Sequence, residues 1–549
     1  MSARGFNSSA SRRLLLLVDG RRASTSNVLG FVGWDGLPFS LREVERVEVL
    51  KGPGSTLYGA NAHSGLVQIV TRDPRELQGT VVDLSAGERS TVSTDIVHGA
   101  TAGPAAYSVS AGYLRADEWP LGADTRFLAG GNVIPYTESV RPSSTRRRLR
   151  ANVVVATPLG SGRLRVSSGF SARDGVWVTG AGRVQQDGDR YTYAAARFTG
   201  PRWTVLADAN WNDSGTWVLL RNGQKFYEIS RDAGAHVHRR IALGGRGHLI
   251  LGGEYRYVRA DTRGVTFPGV RTQNLYGAFG QAEVALAPGL DATLGARVDH
   301  HPQSGWHFSP KVGLVAEPAP NQSLYASYSE GYQNPSLVEL FIDLAIPQPQ
   351  GPTILIRGNE ELKPERLRAY EVGYRGSLRG VARLSVDAFR QELDRFVSDL
   401  VPVAPDPPTL SYRQSGESTA RGVDVTVTGF VGPRLRADAG YAYVRITGTG
   451  EPPNVPGHRA SAGLRYDGVQ GWFVRGEVSY VAGFSWQAGQ LLADIPAYTL
   501  VGAALGYAPP GRRWSLSLRG RNLLDRDHIE MAGGSLLGRR LSVGASVRF

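Results

Sequence analysis

Period-two alternation runs through most of this chain, and it decides what the chain can fold into. Trp203, Val205, Ala207, Ala209 and Trp211 share one parity, while Arg202, Thr204, Asp208 and Asn210 share the other. Successive side chains of a strand point to opposite faces, so this segment has an apolar face with an aromatic at each end and a wet face behind it. Leu435, Ala437, Ala439, Tyr441 and Tyr443 repeat the division against Arg434, Arg436 and Asp438. Trp472, Val474, Val478 and Tyr480 repeat it against Arg475, Glu477 and Ser479. Trp and Tyr at strand ends suit the boundary between lipid tails and water. The longest apolar run, Leu14 to Val18, falls far short of the roughly 18 residues a membrane-spanning helix needs. In a membrane, such a chain must close its strands into a barrel, which leaves no backbone group unpaired in lipid. A large soluble β-sandwich or propeller is the alternative; wet faces over strand after strand and the lack of a blade-length repeat argue against it.

Composition supports many strands and turns: 69 glycines, 22 tyrosines, 17 phenylalanines and 10 tryptophans, with no cysteine. Disulfides and thiolate metal sites are excluded. The net charge of +13 comes from 62 basic against 49 acidic residues, scattered singly through the alternating segments rather than gathered on a basic helix. Nucleic-acid binding is therefore not expected, and a charged lumen is. Arg146-Arg147-Arg148 is the one cluster, read as a solvated or headgroup-facing strand end. No HExxH or GxSxG occurs, so no catalytic residues are assigned. His236 and His238 would share a face and His300 and His301 would not; neither pair supplies enough ligands for a metal site.

The most densely patterned stretch is Val44 to Thr71, VERVEVLKGPGSTLYGANAHSGLVQIVT. Val47 and Val49 alternate with Arg46 and Glu48 as in a half-buried strand. Gly52-Pro53-Gly54 forces a turn, Ser55 is placed to cap one helical turn, Gly59 ends it, and Leu66 to Val70 makes a second strand. Gly54 and Gly59 have phosphate-loop spacing, but Ala60-Asn61 stand where that chemistry needs Lys and Ser or Thr.

Arg4-Gly5-Phe6, LLLLVDGR, WDGLP, the segment above with Gly52, Pro53, Gly54, Tyr58, Gly59, Asn61 and Gly65, and the closing VQIVT resemble, in order and approximate spacing, the plug domain of TonB-dependent outer-membrane receptors. SEGYQNPSLVELF with GNEELKPERLRAYEVGYR resembles that family's mid-barrel signature, and Arg521 to Asp525 its element before the last strands. Leu541, Val543, Ala545, Val547 and Phe549 alternate to a terminal aromatic that resembles the signal read by the barrel assembly machinery. The resemblance implies an all-β membrane protein: a 22-stranded antiparallel transmembrane β-barrel over residues 80–549, with a small N-terminal α+β plug domain, residues 1–79, in the lumen. Residues 80–549 shared among 22 strands leave roughly 21 per strand and connection, a workable length. Long outer loops are expected at Ala116 to Pro142, Leu340 to Pro364 and Val401 to Ser418. The family's signal peptide, TonB box and first plug segment are not seen before Arg4, so the plug is expected to be incomplete at its front.

The family likeness further implies a receptor in the outer membrane of a Gram-negative bacterium, not an enzyme, importing a scarce nutrient, most readily a ferric siderophore. The implied partners are TonB with ExbB and ExbD if the missing front is present, membrane lipids and lipopolysaccharide, and a small-molecule metal chelate; a monomer without resident cofactor is expected. Arginine in the lumen would favour an anionic ligand. The lack of a histidine between Tyr332 and Lys363 argues against haem. By position, Arg22, Asn27, Phe31 and Trp34 of the plug and Tyr332 and Phe341 of the barrel are the candidate ligand contacts. Three rival readings stand beside this one: a passive or surface-binding barrel with a non-functional plug, a receptor for cobalamin or another non-iron ligand, and an outer-membrane lipase or protease built on a barrel, which would need a nucleophile or acidic pair that the sequence does not offer.

Overall fold

In the computed structural model, which describes residues 4–5, 7, 12–30, 33–122, 124–129, 132–346, 352–448 and 454–549, two sheets organise the chain. The smaller contains β1 (Leu14–Val18), β2 (Arg21–Arg22), β3 (Val44–Lys51) and β4 (Gly65–Thr71) in the order β2-β1-β4-β3. β1 runs parallel to β4 and the other pairs are antiparallel. Its apolar residues form two clusters, one of Leu16, Val18, Phe39, Val67 and Ile69 with their neighbours, the other of Leu15, Leu17, Ala62 and Leu66.

The larger sheet is a closed antiparallel barrel of 22 strands that begins at β5 (Gly79–Gly87) and ends at Arg540–Arg548. Its seam pairs the last strand with the first, from Ser542 opposite Gly87 to Arg548 opposite Val81. The Phe549 amide then donates to the Thr80 carbonyl at 2.8 Å, so the ladder is closed to the final residue. No sheet edge is left to lipid, as a membrane barrel requires.

The alternation read from the sequence maps onto the two faces of the wall. Trp203, Val205 and Trp211 are exposed on the outside, whereas Asp208 and Asn210 are buried inside. Exposed aromatics gather in two belts. Trp203, Tyr466, Trp472 and Trp514 lie toward one rim, and Trp211, Tyr276, Trp306 and Tyr480 toward the other. Trp472 stacks on Tyr507 at 4.4 Å, which continues the first belt around the barrel.

The two rims differ in their connections. On the rim where the last strand ends at the C-terminus, turns are short, as at Gly103-Pro104, Gly160-Ser161 and Pro288-Gly289. Long connections lie on the other rim, the arrangement of short inner turns and long outer loops seen in outer-membrane barrels. The three expected loops are among them, and they are more ordered than their Pro and Gly content suggests. Asp343–Ile346, Ile354–Arg357, Val401–Pro405 and Pro408–Ser411 form one small sheet; Arg126–Ala129, Asn132–Pro135, Phe484–Ala488 and Leu491–Ile495 form another.

Three local expectations change. β3 is not half-buried: it is the edge of its sheet, Val47 and Val49 are 55% and 59% exposed, and Val47 faces a cavity of about 890 Å³ between plug and wall. Gly54, not Ser55, occupies the cap position of the helical turn α1 (Ser55–Tyr58), and the Ser55 hydroxyl instead reaches the Ala62 carbonyl. Of the Arg146-Arg147-Arg148 run, read as a solvated or headgroup-facing strand end, Arg146 and Arg148 turn inward to Asp35, through its carboxylate and its carbonyl respectively, although Arg146 stays exposed, and Arg147 is exposed on the side of Leu149.

The division into lipid and lumen faces is directly testable. Val478→Arg, on the outer face, is expected to cost about 2–4 kcal/mol in reversible folding into lipid vesicles. Ser479→Arg, one residue on and facing the lumen, is expected to change it by less than about 1 kcal/mol.

Candidate functional site

The Val44 to Thr71 unit builds the plug surface that faces the wall. Gly52 has φ of +89° and Gly59 φ of +71°, conformations that β-carbon-bearing residues rarely adopt. A β-carbon on Gly52 would lie 2.4 Å from the Glu371 carboxylate, and one on Gly59 would lie 2.6 Å from the Arg297 guanidinium. Both glycines therefore serve a turn and a close approach of the barrel at once. Pro53 lies against Gly331, Tyr58 packs on the Leu15 and Leu66 cluster, and Asn61 takes φ of +72° with its amide donating to the Tyr332 carbonyl at 3.2 Å. Gly65 begins β4, opposite Lys51 and Leu14.

Plug and wall share an apolar cluster at the apex, where Val28 packs with Ala260, Leu340 and Ile356, and elsewhere are joined largely by charge. Arg13 forms a two-pronged pair with Glu365, at 2.9 and 2.7 Å, and both residues are buried. Arg4 meets Glu371 at 2.5 Å and Asp424 at 3.3 Å, and Lys51 also reaches Asp424, at 3.0 Å. Arg42 grips Asp83 through two nitrogens. The polarity reverses elsewhere: Asp35 of the plug accepts from Arg173 of the wall, and Glu43 from Ser110 and Asn152. Arg21 points between Tyr191 and Asn210 and lies over the Tyr193 ring at 3.7 Å.

Above the plug, toward the long-loop rim, lies a chamber of about 170 Å³. Val28 and Leu29 of the plug form part of its wall; Trp177, Trp217, Phe226, Leu344 and Tyr412 come from strand ends and loops around the rim. Trp177 and Trp217 meet edge to face at 6.2 Å. Beside it the helix α2 (Leu337–Phe341) is set by a capping box in which Ser336 and Glu339 exchange hydrogen bonds. Glu339 also pairs with Arg12 of the plug, so this helix ties the loop to the plug apex.

The residues singled out from the sequence do not form one group. Arg22 donates to the Tyr58 carbonyl at 2.8 Å and pairs with Glu254 of the wall at 3.3 Å; it shares a small crevice with Tyr332, whose ring lies 4.9 Å from His307. Asn27 bonds Ser230 and Asp232, and it lines, with Arg22, a second hollow of about 130 Å³. Trp34 borders the large cavity on the other side of the plug. Phe341 is buried in the apolar cluster beside the chamber, under Arg271 at 4.2 Å. Phe31 lies outside the described residues. The two rim tryptophans and Leu344 carried no signal in the sequence that would mark a site, because they sit far apart in the chain. Glu339 could have been found: Ser336-Leu-Val-Glu339 is a capping-box pattern. His236 and His238 bond each other at 3.1 Å, and no group of three metal-binding side chains occurs among the described residues.

A closed barrel of this width, with a folded sheet lodged in its lumen and a chamber of long loops above it, is the build of a plugged outer-membrane receptor. The chain belongs to the TonB-dependent receptor family: the family model "TonB dependent receptor-like, beta-barrel" matches residues 101–523, and the "TonB-dependent Receptor Plug Domain" matches residues 1–66. These proteins are receptors and transporters, not enzymes. Among curated relatives, the iron-regulated outer membrane virulence protein of Vibrio cholerae is 28% identical over 384 residues, which cover 66% of this chain and 55% of the relative. The vitamin B12 transporter BtuB of Vibrio vulnificus is 22% identical over 446 residues, covering 77% and 64%. The chain thus spans a little over half to under two thirds of these relatives. A crystal structure of a mutant ferric enterobactin receptor, PfeA of Pseudomonas aeruginosa, superposes with a TM-score of 0.76 over 99% of this chain and 94% of that one at 17% identity, a likeness of fold.

Two measurements probe the plug contacts. Arg13→Ala leaves Glu365 buried and uncompensated, and is expected to lower the plug's stability to hydrogen exchange by about 3–5 kcal/mol. Arg46→Ala, at an exposed pair with Glu48, should change it by less than about 1 kcal/mol. Burial pushes the His63 imidazole down to about 4, helped by Arg13 and opposed by Glu365. Its depressed value means that stability is full above the ordinary histidine range and falls as the pH drops from about 6.5 toward about 4. Protease resistance of the plug should weaken across that window, and His63→Gln should flatten the dependence.

Proposed function

We propose that this protein is an energised importer: residues 1–79 act as the plug, residues 80–549 as the barrel, and TonB, with ExbB and ExbD, supplies the work that shifts the plug. The observation that carries the reading is the plug–wall contact itself, a folded sheet held in a wide lumen by ion pairs that water can replace as the sheet moves. The cargo is a scarce nutrient too large for passive pores, in the first place a ferric siderophore. The names of the relatives support a metal-bound or cobalamin-type nutrient and divide between the two. The ligand would settle between the plug apex at Val28 and Leu29 and the long loops, with Asn27 and the Phe341 helix beside it. The strand ending at Phe549 would be read by the barrel assembly machinery, and the barrel would work as a monomer among lipid and lipopolysaccharide.

Uptake of radioactive iron from a panel of ferric siderophores, and of labelled cobalamin, into iron-starved cells with and without TonB tests this. The gene expressed from its own locus should give iron uptake that vanishes without TonB. Equal uptake in both strains would mean a passive barrel, and TonB-dependent uptake of cobalamin alone would move the cargo to the non-iron class.

A further inference from the structure

The chamber has a chemistry of its own. Besides its aromatic and aliphatic lining, three charged residues reach it: Arg12, Glu228 and Asp399. Arg12 is taken by Glu339 and also donates to the Ser336 hydroxyl at 3.1 Å. Glu228 accepts from the Ser26 and Ser230 hydroxyls, at 2.5 and 2.6 Å, and from the Asn27 and Val28 amides, at 2.8 and 3.2 Å. Asp399 accepts from the Gly489 amide at 2.6 Å. One cation against two carboxylates, with Glu339 as a third behind the cation, gives the chamber no excess positive charge. Burial pushes both Glu228 and Asp399 up, the direction of a site that tolerates negative charge poorly. Of the lumen arginines nearby, Arg22, Arg173 and Arg256 pair with carboxylates, Arg21 meets the neutral oxygens of Tyr191 and Asn210, and Arg271 lies over the Phe341 ring. Within the described lining of the chamber, a polyanion would lose its hydration against a single arginine, Arg12, that already faces Glu339.

The walls offer contact of another kind. Trp177 and Trp217 present ring surface, Leu344 and Ile356 aliphatic surface, and Val28 and Leu29 close the plug side. The indole N–H of Trp217 is buried and has no acceptor among the described residues. A buried donor without an acceptor is costly, and a ligand carbonyl would relieve it.

We infer that the chamber selects an uncharged ligand with a carbonyl-bearing core and an apolar arm, such as a neutral chelate carrying an acyl or aromatic tail, over a polyanionic chelate. This rests on the receptor reading above and departs from the anionic ligand that the arginine content suggests. The test uses the detergent-solubilised full chain and calorimetric titration with three ferric complexes: a trianionic tris-catecholate, a neutral tris-hydroxamate, and the same hydroxamate with an acyl chain. The acylated complex should bind at least about tenfold tighter than its plain parent, because each buried methylene adds to affinity. Its affinity should change less than about twofold between about 0.05 and 0.5 M salt. Trp177→Ala should remove most of the acyl gain, while Trp177→Phe, which keeps an aromatic face, should preserve it. Tightest binding by the catecholate, or no binding by either hydroxamate, overturns the inference. Iron-free acyl hydroxamate binding as tightly as its ferric complex would leave the apolar assignment standing and sink the iron reading.

Discussion

The plug is held in the lumen by charged side chains, and the rest of the structure can be understood from that. Its own apolar residues face one another: the clusters around Leu16 and around Leu15 contain plug residues and no wall residues. Apolar contact between the plug and the rest of the chain gathers at the apex, where Val28 joins the loop cluster of Leu340, Phe341 and Ile356. Below the apex the contact includes Arg13 with Glu365, Arg4 with Glu371, Arg42 with Asp83 and Asp35 with Arg173. An apolar seal would resist sliding by about 25 cal/mol for every Å² exposed. Ion pairs add little net stability, but losing one partner alone is expensive, so they fix the plug in one register while allowing water to replace them when it is moved.

The barrel supplies what such a plug needs. Backbone pairing closed to Phe549 leaves no edge, and the alternation along the strands lets arginine and aspartate such as Arg256 and Asp208 line the lumen behind an apolar outer face. The high arginine content belongs to this arrangement. Arg297, almost wholly buried, meets Glu254 and Asp299 and lies against the turn at Gly59, so one side chain serves both the wall and the plug. The guanidinium fork can bind two acids at once, which a lysine ammonium does less well.

Much of this was legible in the chain. Alternation such as Trp203 to Trp211 is a local property, and it maps directly onto lipid and lumen. The Gly52 to Gly65 motif identified the plug, because its glycines answer to turns and to a wall a few ångströms away. What could not be read depends on which distant segments meet. Val47 and Val49 alternate like a covered strand, yet nothing local tells that β3 is an edge facing a cavity. Nor does anything local tell that Arg146 and Arg148 turn toward Asp35 of the plug, the first of them while still exposed. The chamber draws Val28, Trp177, Trp217, Leu344 and Tyr412 from five separate parts of the chain, and no spacing links them.

The central claim is that cargo passes only when the plug shifts against the wall. The chain has no cysteine, so a tether can be introduced on a clean background. The Thr56 hydroxyl of the plug donates to the Ser309 carbonyl of the barrel at 3.4 Å, so Thr56→Cys and Ser309→Cys stand on touching segments, and non-reducing electrophoresis shows whether their disulfide has formed. Uptake by the oxidised double variant should be abolished and should return on reduction. Undiminished uptake through the oxidised, tethered protein would contradict the account.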